Sequence, residues 1–460
     1  MEIKTKLHTV YLLVGPTKCG KTTFAKQILK PSLYFEDEAK GFKANIQYIS
    51  SDEIRQQILG YVYDKYDQVM LEASAQAFEL LYKKIDLVTT FPINAEFVIV
   101  DTTGLSEDFR IKVRDIARNN HYNVEIILFD YKERDDYLTS ERSHRLITNH
   151  LTRLRKEVLP VISREKYDRI HRIKQKDFLD PAGCDIVIEN KEQFLATLLP
   201  HDKEYIIVGD VHECVDELIA LIEVAGFDIE NNLIKPTKKM ANKKILLLGD
   251  WIDKGGKTKE IIEFLHANRC HIIWTLGNHE SFVYRYLKNE IKGAKQTIID
   301  NFFTSITYLA QNPEIHKKFE ELVALAQPFY HYIGSGDKQK SFYITHAPCE
   351  NKYIGKLDAF AMRAQRYFKL ERELPTEPQF QFIKDEASTN HPYHFFGHVA
   401  VGEVARVKNK ILLDTGCVSG NKLTGVEVSF KLFFKSVKST RSQEKLPILF
   451  KCKQELDPRL

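Results

Sequence analysis

Short apolar runs that end in polar, often glycine-containing turns, and then give way to helix-patterned segments, limit this chain's fold more than any other feature. Thr9 to Val14, Asn45 to Ile49, Phe97 to Val100 and Val124 to Phe129 are continuous enough to be buried parallel strands. Helical patterns lie between them, at Lys21 to Leu29 and Gln68 to Ile85. A second series starts at Glu204, with Tyr205 to Val208, Lys244 to Leu248 and Cys270 to Thr275 each running into a turn. Ser341 to Thr345, His394 to Phe396, Lys410 to Leu413 and Val426 to Leu432 extend it, after a helical insert over about Lys288 to Leu325. The alternation predicts an α/β fold, and 460 residues exceed one typical core. From about Thr139 to Lys176 the chain reads as helical and basic, and the Asp180-Pro-Ala-Gly183 break follows. The expected organisation is a first domain over 1–176, a connecting segment over 177–200 and a second domain over 201–460.

Composition narrows the functional classes. A net charge of +4 does not announce a nucleic-acid binder, so any basic surface must be local. The seven cysteines are scattered and form no CxxC pair, which argues against a disulfide framework or a structural zinc site. The N-terminal residues lack a signal-peptide core, and no apolar stretch is long enough to span a bilayer. A cytoplasmic protein without membrane contact is expected.

The first chemical motif is Gly15-Pro-Thr-Lys-Cys-Gly20-Lys21-Thr22, a GxxxxGK[ST] pattern between an apolar strand and a helix. That context makes it a P-loop, whose amides face a nucleoside triphosphate such as ATP. Gly15, Thr17, Cys19, Gly20, Lys21, Thr22 and Thr23 are the nucleotide-binding candidates; Lys21 supplies mobile charge and Thr22 a ligand for magnesium. Asp52 follows the next strand, where a carboxylate can take a proton from an attacking hydroxyl, and Arg55 can hold a phosphate on the acceptor. The plainer reading makes Ser51 or Asp52 a helix cap. Asp101 ends the third strand like a Walker B acid near the metal, or is itself a cap. Arg142 and Arg145 share a helix face that could close over the nucleotide, with Arg153 and Arg155 beyond; a solvated face is the alternative.

Five further motifs stand at strand ends in the second half: Gly209-Asp210-Val-His212, Gly249-Asp250-Trp-Ile-Asp253-Lys254-Gly255, Gly277-Asn278-His279-Glu280, Thr345-His346 and Gly397-His398. In this order they resemble the calcineurin-like metallophosphoesterases over about residues 204 to 430. The resemblance implies an α/β sandwich in which Asp210 and His212 bind one metal, Asn278, His346 and His398 a second, and Asp250 bridges both. Mixed nitrogen and oxygen ligands suit two divalent ions such as manganese, and paired metals can clamp an in-line displacement at phosphorus. His279 would protonate the leaving oxygen or steady the pentavalent phosphorus, oriented by Asp253. Glu213 and Lys254 depart from the protein-phosphatase branch, which has glycine and arginine there. Lysine holds phosphate as a point charge and not as a fork.

Together, the P-loop, the Ser51-Asp52-Glu53-Ile54-Arg55 loop and the metal motifs resemble bacterial polynucleotide kinase–phosphatases over about residues 8 to 430. The resemblance implies phosphorylation of 5′-OH ends of RNA or DNA and removal of 3′-phosphate or 2′,3′-cyclic phosphate, with Asp52 as base and Arg142 and Arg145 on the lid. No ligase pattern follows, so sealing is expected to need a separate ligase; a homo-oligomer is compatible with the sequence. Two other readings stand beside this one: a metabolite or nucleoside kinase fused to a protein or dinucleoside-polyphosphate phosphatase, and a nucleotide-gated phosphoesterase.

Overall fold

The computed structural model describes residues 2–61, 68–130, 144–173, 184–235, 237–238, 240–334, 340–371, 373–429 and 431–450. It divides into two units, Met1–Asp37 with Phe42–Leu195, and Glu38–Gly41 with Ala196–Leu460.

The first unit is built on a five-stranded sheet, parallel throughout, in the order Ile46–Ser50, Phe97–Asp101, Thr9–Val14, Asn123–Phe129, Arg169–Ile173. Every residue of the central strand Thr9–Val14 is buried, as a strand covered on both faces requires. Helix Ser74–Thr89 packs its Ala77, Leu81, Ile85 and Val88 stripe into the core, and helix Glu107–Asn119 adds Phe109, Val113 and Ala117. Helix Lys21–Phe24 continues through a wider turn, Ala25–Leu29.

The basic stretch expected to be helical is only partly so. Helix His144–Arg153 gives way to turns and then to the edge strand Arg169–Ile173. Its polar side chains hid the strand, because their partners lie far along the chain: His171 meets Glu125 at 2.8 Å and Arg169 meets Glu189 at 2.8 Å. The apolar run near 186 is also a strand, Asp185–Ile188, paired in parallel with Glu2–Thr5.

The second unit stacks two mixed sheets. One has the order Ile272–Trp274, Lys243–Leu247, Glu204–Val208, Lys422–Val428, Leu432–Lys438; the other runs Leu198–Leu199, Phe329–Tyr332, Phe342–Thr345, Tyr393–Phe396, Lys410–Leu412, Ala405–Val407. Strand alternation sends Tyr205 and Ile207 into the layer between the sheets, against Tyr332, Ile344 and Phe395. Ile206 and Val208 face the helices on the outer side, among them Val215–Val224, Thr258–Ala267 and Pro313–Leu325. The expected single strand over Val426 to Leu432 is the turn of a hairpin joining Lys422–Val428 to Leu432–Lys438. The insert is helical only from Gln296, as Gln296–Phe302, Ser305–Gln311 and Pro313–Leu325.

Candidate metal centre and phosphate-binding loop

The P-loop connects the central strand to its helix through Gly20, whose left-handed φ of 88° turns the chain before Lys21. Lys21 is buried and folded onto its own loop, donating to Gly15 O (3.0 Å) and Pro16 O (2.6 Å). The buried Thr17 donates its amide to His150 Nδ1 at 3.3 Å, which places helix His144–Arg153 against the loop. Cys19 is also buried and its thiol is pushed up by that burial; Thr23 is exposed.

Asp101 accepts from Thr22 Oγ1 and from Tyr48 OH, both at 2.6 Å, so the strand-end acid and the P-loop hydroxyl meet. Asp52 is not the helix cap, nor is Ser51: Ser50 accepts from the Glu53 amide instead. Asp52 pairs with Arg55, which also donates to Ser74 Oγ (3.1 Å). Arg145 lies exposed on its helix, Arg153 donates to Leu105 O, and Arg142 lies outside the described residues. Tyr48 and His150 went unnoticed in the sequence, where an isolated tyrosine or histidine carries no signal.

In the second unit the strand-end turns bring the metal candidates together. His346 Nε2 lies 3.0 Å from Asn278 Oδ1, 3.2 Å from His398 Nδ1 and 3.3 Å from Asp250 Oδ2. His212 Nε2 lies 3.7 Å from the same Asp250 oxygen. Two imidazoles use their other nitrogen to donate to a backbone carbonyl, His346 to Leu248 O (2.7 Å) and His212 to Ile252 O (3.0 Å), while His398 Nε2 lies 2.8 Å from Phe368 O and 3.3 Å from the Phe368 amide. Carbonyls only accept, so Leu248 and Ile252 fix the tautomers of His346 and His212 and turn their lone pairs inward. Burial, then Lys254, holds His212 well below its usual pKa, and burial, then His346, brings His398 down to about 4. Imidazole nitrogens, an amide oxygen and a carboxylate therefore converge, an arrangement that fits a cation.

Asp210 completes this set. Its Oδ2 accepts from the His398 amide (3.0 Å), while buried Oδ1 has no hydrogen-bond partner among the described residues. A side chain at Gly397 would collide with that oxygen, so only glycine leaves the carboxylate its place. His212, Asp250, Asp253, Lys254 and His398 adopt φ values of 44°, 44°, 69°, 69° and 73°. Such left-handed non-glycine residues cost about 1–3 kcal/mol each and gather where function demands them.

His279 Nδ1 is 2.8 Å from Asp253 Oδ2, and its Nε2 is 3.9 Å from Asp250 Oδ2. Asp253 accepts on its other oxygen from the Ser305 amide at 2.9 Å and from Ser305 Oγ at 2.5 Å. Glu213, noted in the sequence only as a departure, braces this turn: it accepts from Asp253 N, Thr258 Oγ1 and Lys257 N at 2.8–3.0 Å. Glu280 does the same for the preceding residues, accepting from Asp250, Trp251, Ile252 and Gly277 amides. Lys254 Nζ reaches His212 Nε2 (2.9 Å) and lines a cavity of about 370 Å³ with Asp210, Asp414 and Glu444. Burial pushes Asp414 up to about 6. Cys214, Glu217 and Cys417 form another buried group within 4.8 Å, which no cysteine spacing announced.

Fold and site define the class: a P-loop, kinase-like domain joined to a calcineurin-like metallophosphoesterase domain. Residues 10–135 match the AAA domain family, and residues 204–419 match the calcineurin-like phosphoesterase family. Over 231 residues the chain is 29% identical to the Bis(5'-nucleosyl)-tetraphosphatase PrpE [asymmetrical] of Bacillus subtilis, covering 48% of this chain and 89% of that protein. The protein of that name from Oceanobacillus iheyensis is 29% identical over 235 residues, 49% of this chain and 89% of its own. The crystal structure of Chaetomium thermophilum Kti12 in complex with ADP-AlF3 aligns with 38% of this chain and 92% of its own, at 17% identity and a TM-score of 0.27. No helix among the described residues is long and apolar enough to cross a membrane.

Proposed function

We propose that this chain heals broken nucleic-acid ends. The first site would transfer the γ-phosphate of ATP or another nucleoside triphosphate to a 5′-OH. The second would hydrolyse 3′-phosphate or 2′,3′-cyclic phosphate. The observation that carries the proposal is the convergence of Asp250, Asn278 and His398 acceptor atoms within 3.3 Å of His346 Nε2, in one chain with a P-loop. RNA cleaved by transesterification presents both ends, and a conventional ligase requires one phosphate removed and another added. Two such sites in one chain suit that substrate, with a separate ligase acting afterwards.

In the first site, Lys21 and the loop amides would bind the triphosphate, and Thr22 and Asp101 would hold magnesium. Asp52 would accept the proton of the attacking hydroxyl while Arg55 turns from Asp52 to the acceptor phosphate. In the second, Asp210, His212 and Asp250 would hold one divalent ion, and Asp250, Asn278, His346 and His398 another, with manganese the ion of choice. When bound, the two ions would supply charge neutralisation at phosphorus. Asp253 fixes the proton on His279 Nδ1 and orients Nε2 towards the cluster, from where it would serve the leaving oxygen. Lys254 would hold a phosphate oxygen.

The test is an RNA with a 5′-OH and a 2′,3′-cyclic phosphate, incubated with the protein, ATP and manganese and then weighed. Unchanged ends would refute the proposal. The relatives named as asymmetrical tetraphosphatases favour a second reading for the phosphoesterase, hydrolysis of dinucleoside polyphosphates. Faster release of products from diadenosine tetraphosphate than from the RNA end would select it.

A further inference from the structure

A second cavity, of about 430 Å³, adjoins the metal cluster from another side. It shares His398 and Ala400 with the polar cavity that holds Asp210, His212 and Lys254, so the two meet at the Gly397-His398 turn. Their characters differ. Phe368, Leu370, Leu374, Val399 and Pro447 supply the second cavity's apolar lining, and Glu371, Thr376 and His398 its polar side chains. An apolar face beside a few placed polar groups, in a few hundred Å³, can hold an amphipathic small molecule.

The cavity is also pre-formed. His398 Nε2 lies 2.8 Å from the Phe368 carbonyl and 3.3 Å from the Phe368 amide, which ties this wall to a metal-ligand candidate. The Phe368 ring packs near Phe380 and Phe382, with centroids 5.3 and 5.8 Å away. Gly402 donates to Pro447 O at 2.9 Å, and Leu449 and Phe450 anchor the strand-like C-terminal segment beyond in a buried cluster. At the cavity's rim, Leu374 is 57% exposed, and Ile448 next to Pro447 is 56% exposed.

We propose that this cavity is the nucleoside subsite of the phosphoesterase: the base and sugar carrying the attacked phosphate lie against Phe368, Leu370 and Leu374. The proposal rests on the phosphoesterase reading above and names the chemistry of its substrate. An ester whose phosphorus sits among His398, Asp210 and Asp250 has both of these cavities within reach of its organic group. The polar one, with Lys254 and three acidic residues, suits phosphate oxygens and cations, and the apolar one suits a heterocycle. Phe368 offers an aromatic face for stacking, and Glu371 and Thr376 offer partners to polar edges.

Manganese-loaded protein is assayed with adenosine 3′-monophosphate and with ribose 3-phosphate, which is the same ester without a base. The expected wild-type preference in kcat/KM is about tenfold or more, the factor one stacked base is worth. Leu374→Arg and Leu370→Arg, which put a charge in the apolar wall, should collapse that preference through KM for the nucleotide. Adenosine, added as a probe, should inhibit wild type competitively and inhibit Leu374→Arg far less. Equal hydrolysis of the two esters by wild type, or an equal slowing of both by the variants, would overturn the subsite while leaving the phosphoesterase in place. Inactivity of wild type on every phosphate ester would remove both.

Discussion

Single side chains decide whether the second site can act on a proton as well as hold cations. His279 can be useful only if Nδ1 keeps its proton, and Asp253 Oδ2 at 2.8 Å ensures that. Asp253 is itself held by Ser305, whose amide and hydroxyl both reach Oδ1. Ser305 is thus a positioning residue, one step removed from the chemistry. Ser305→Ala should lower kcat for phosphate-ester hydrolysis by about tenfold, as loss of an outer partner does, with KM little changed. Ser305→Thr should restore the rate. A fall in kcat that threonine does not rescue would assign Ser305 a purely structural role. The metal-ligand candidates were legible in the sequence because each sits in a short motif at a strand end, with Asp210, Asp250, Asn278 and His346 all following apolar runs. Ser305 was not: it lies 52 residues from the carboxylate it holds, in an insert with no motif of its own.

At the scale of elements, the turns matter more than the strands they end. Glu213 adds a buried carboxylate to the second turn and satisfies the amides of Asp253 and Lys257. Replacing it by alanine leaves those donors buried without partners, a loss of about 1–3 kcal/mol. Glu213→Ala should therefore lower the urea midpoint and weaken manganese binding together, as read by unfolding curves and by calorimetric titration. Unchanged manganese affinity would separate the brace from the metal centre. The strands themselves were readable as apolar runs; the edge strand Arg169–Ile173 was not, since its polar side chains find Glu125 and Glu189 only in the fold. The strand Lys410–Leu412 raises a different point. Burial lowers Lys410 to about 8 from its usual 10.5, with Asn351 Oδ1 accepting one of its protons. The unfolded chain then binds more protons than the folded one between those values, so stability from this group rises with pH across that window. Wild type should gain about 2 kcal/mol of unfolding free energy from pH 8 to near pH 10, relative to Lys410→Met. Parallel pH profiles for the two proteins would show that Lys410 titrates as in water.

For the whole molecule, the question is whether two chemistries share one chain without sharing residues. Lys21, Thr22, Asp52 and Asp101 all lie in the unit made of Met1–Asp37 and Phe42–Leu195, and the acceptors around His346 all lie in Ala196–Leu460. Each set is assembled by its own sheet, through turns at the ends of that sheet's strands. Neither needs the other's side chains, so the activities should be lost one at a time. Lys21→Ala removes the mobile charge on the triphosphate and should cut 5′ phosphorylation by about 10²–10³-fold, the scale of losing such an electrostatic contact. The 3′ end of the same RNA should still be healed at the wild-type rate. His346→Ala opens the acceptor cluster and should abolish 3′ healing with 5′ phosphorylation intact. Mass analysis of one RNA carrying both ends reads the two outcomes together. If Lys21→Ala silences both ends, the nucleotide gates the phosphoesterase and the two sites are not independent.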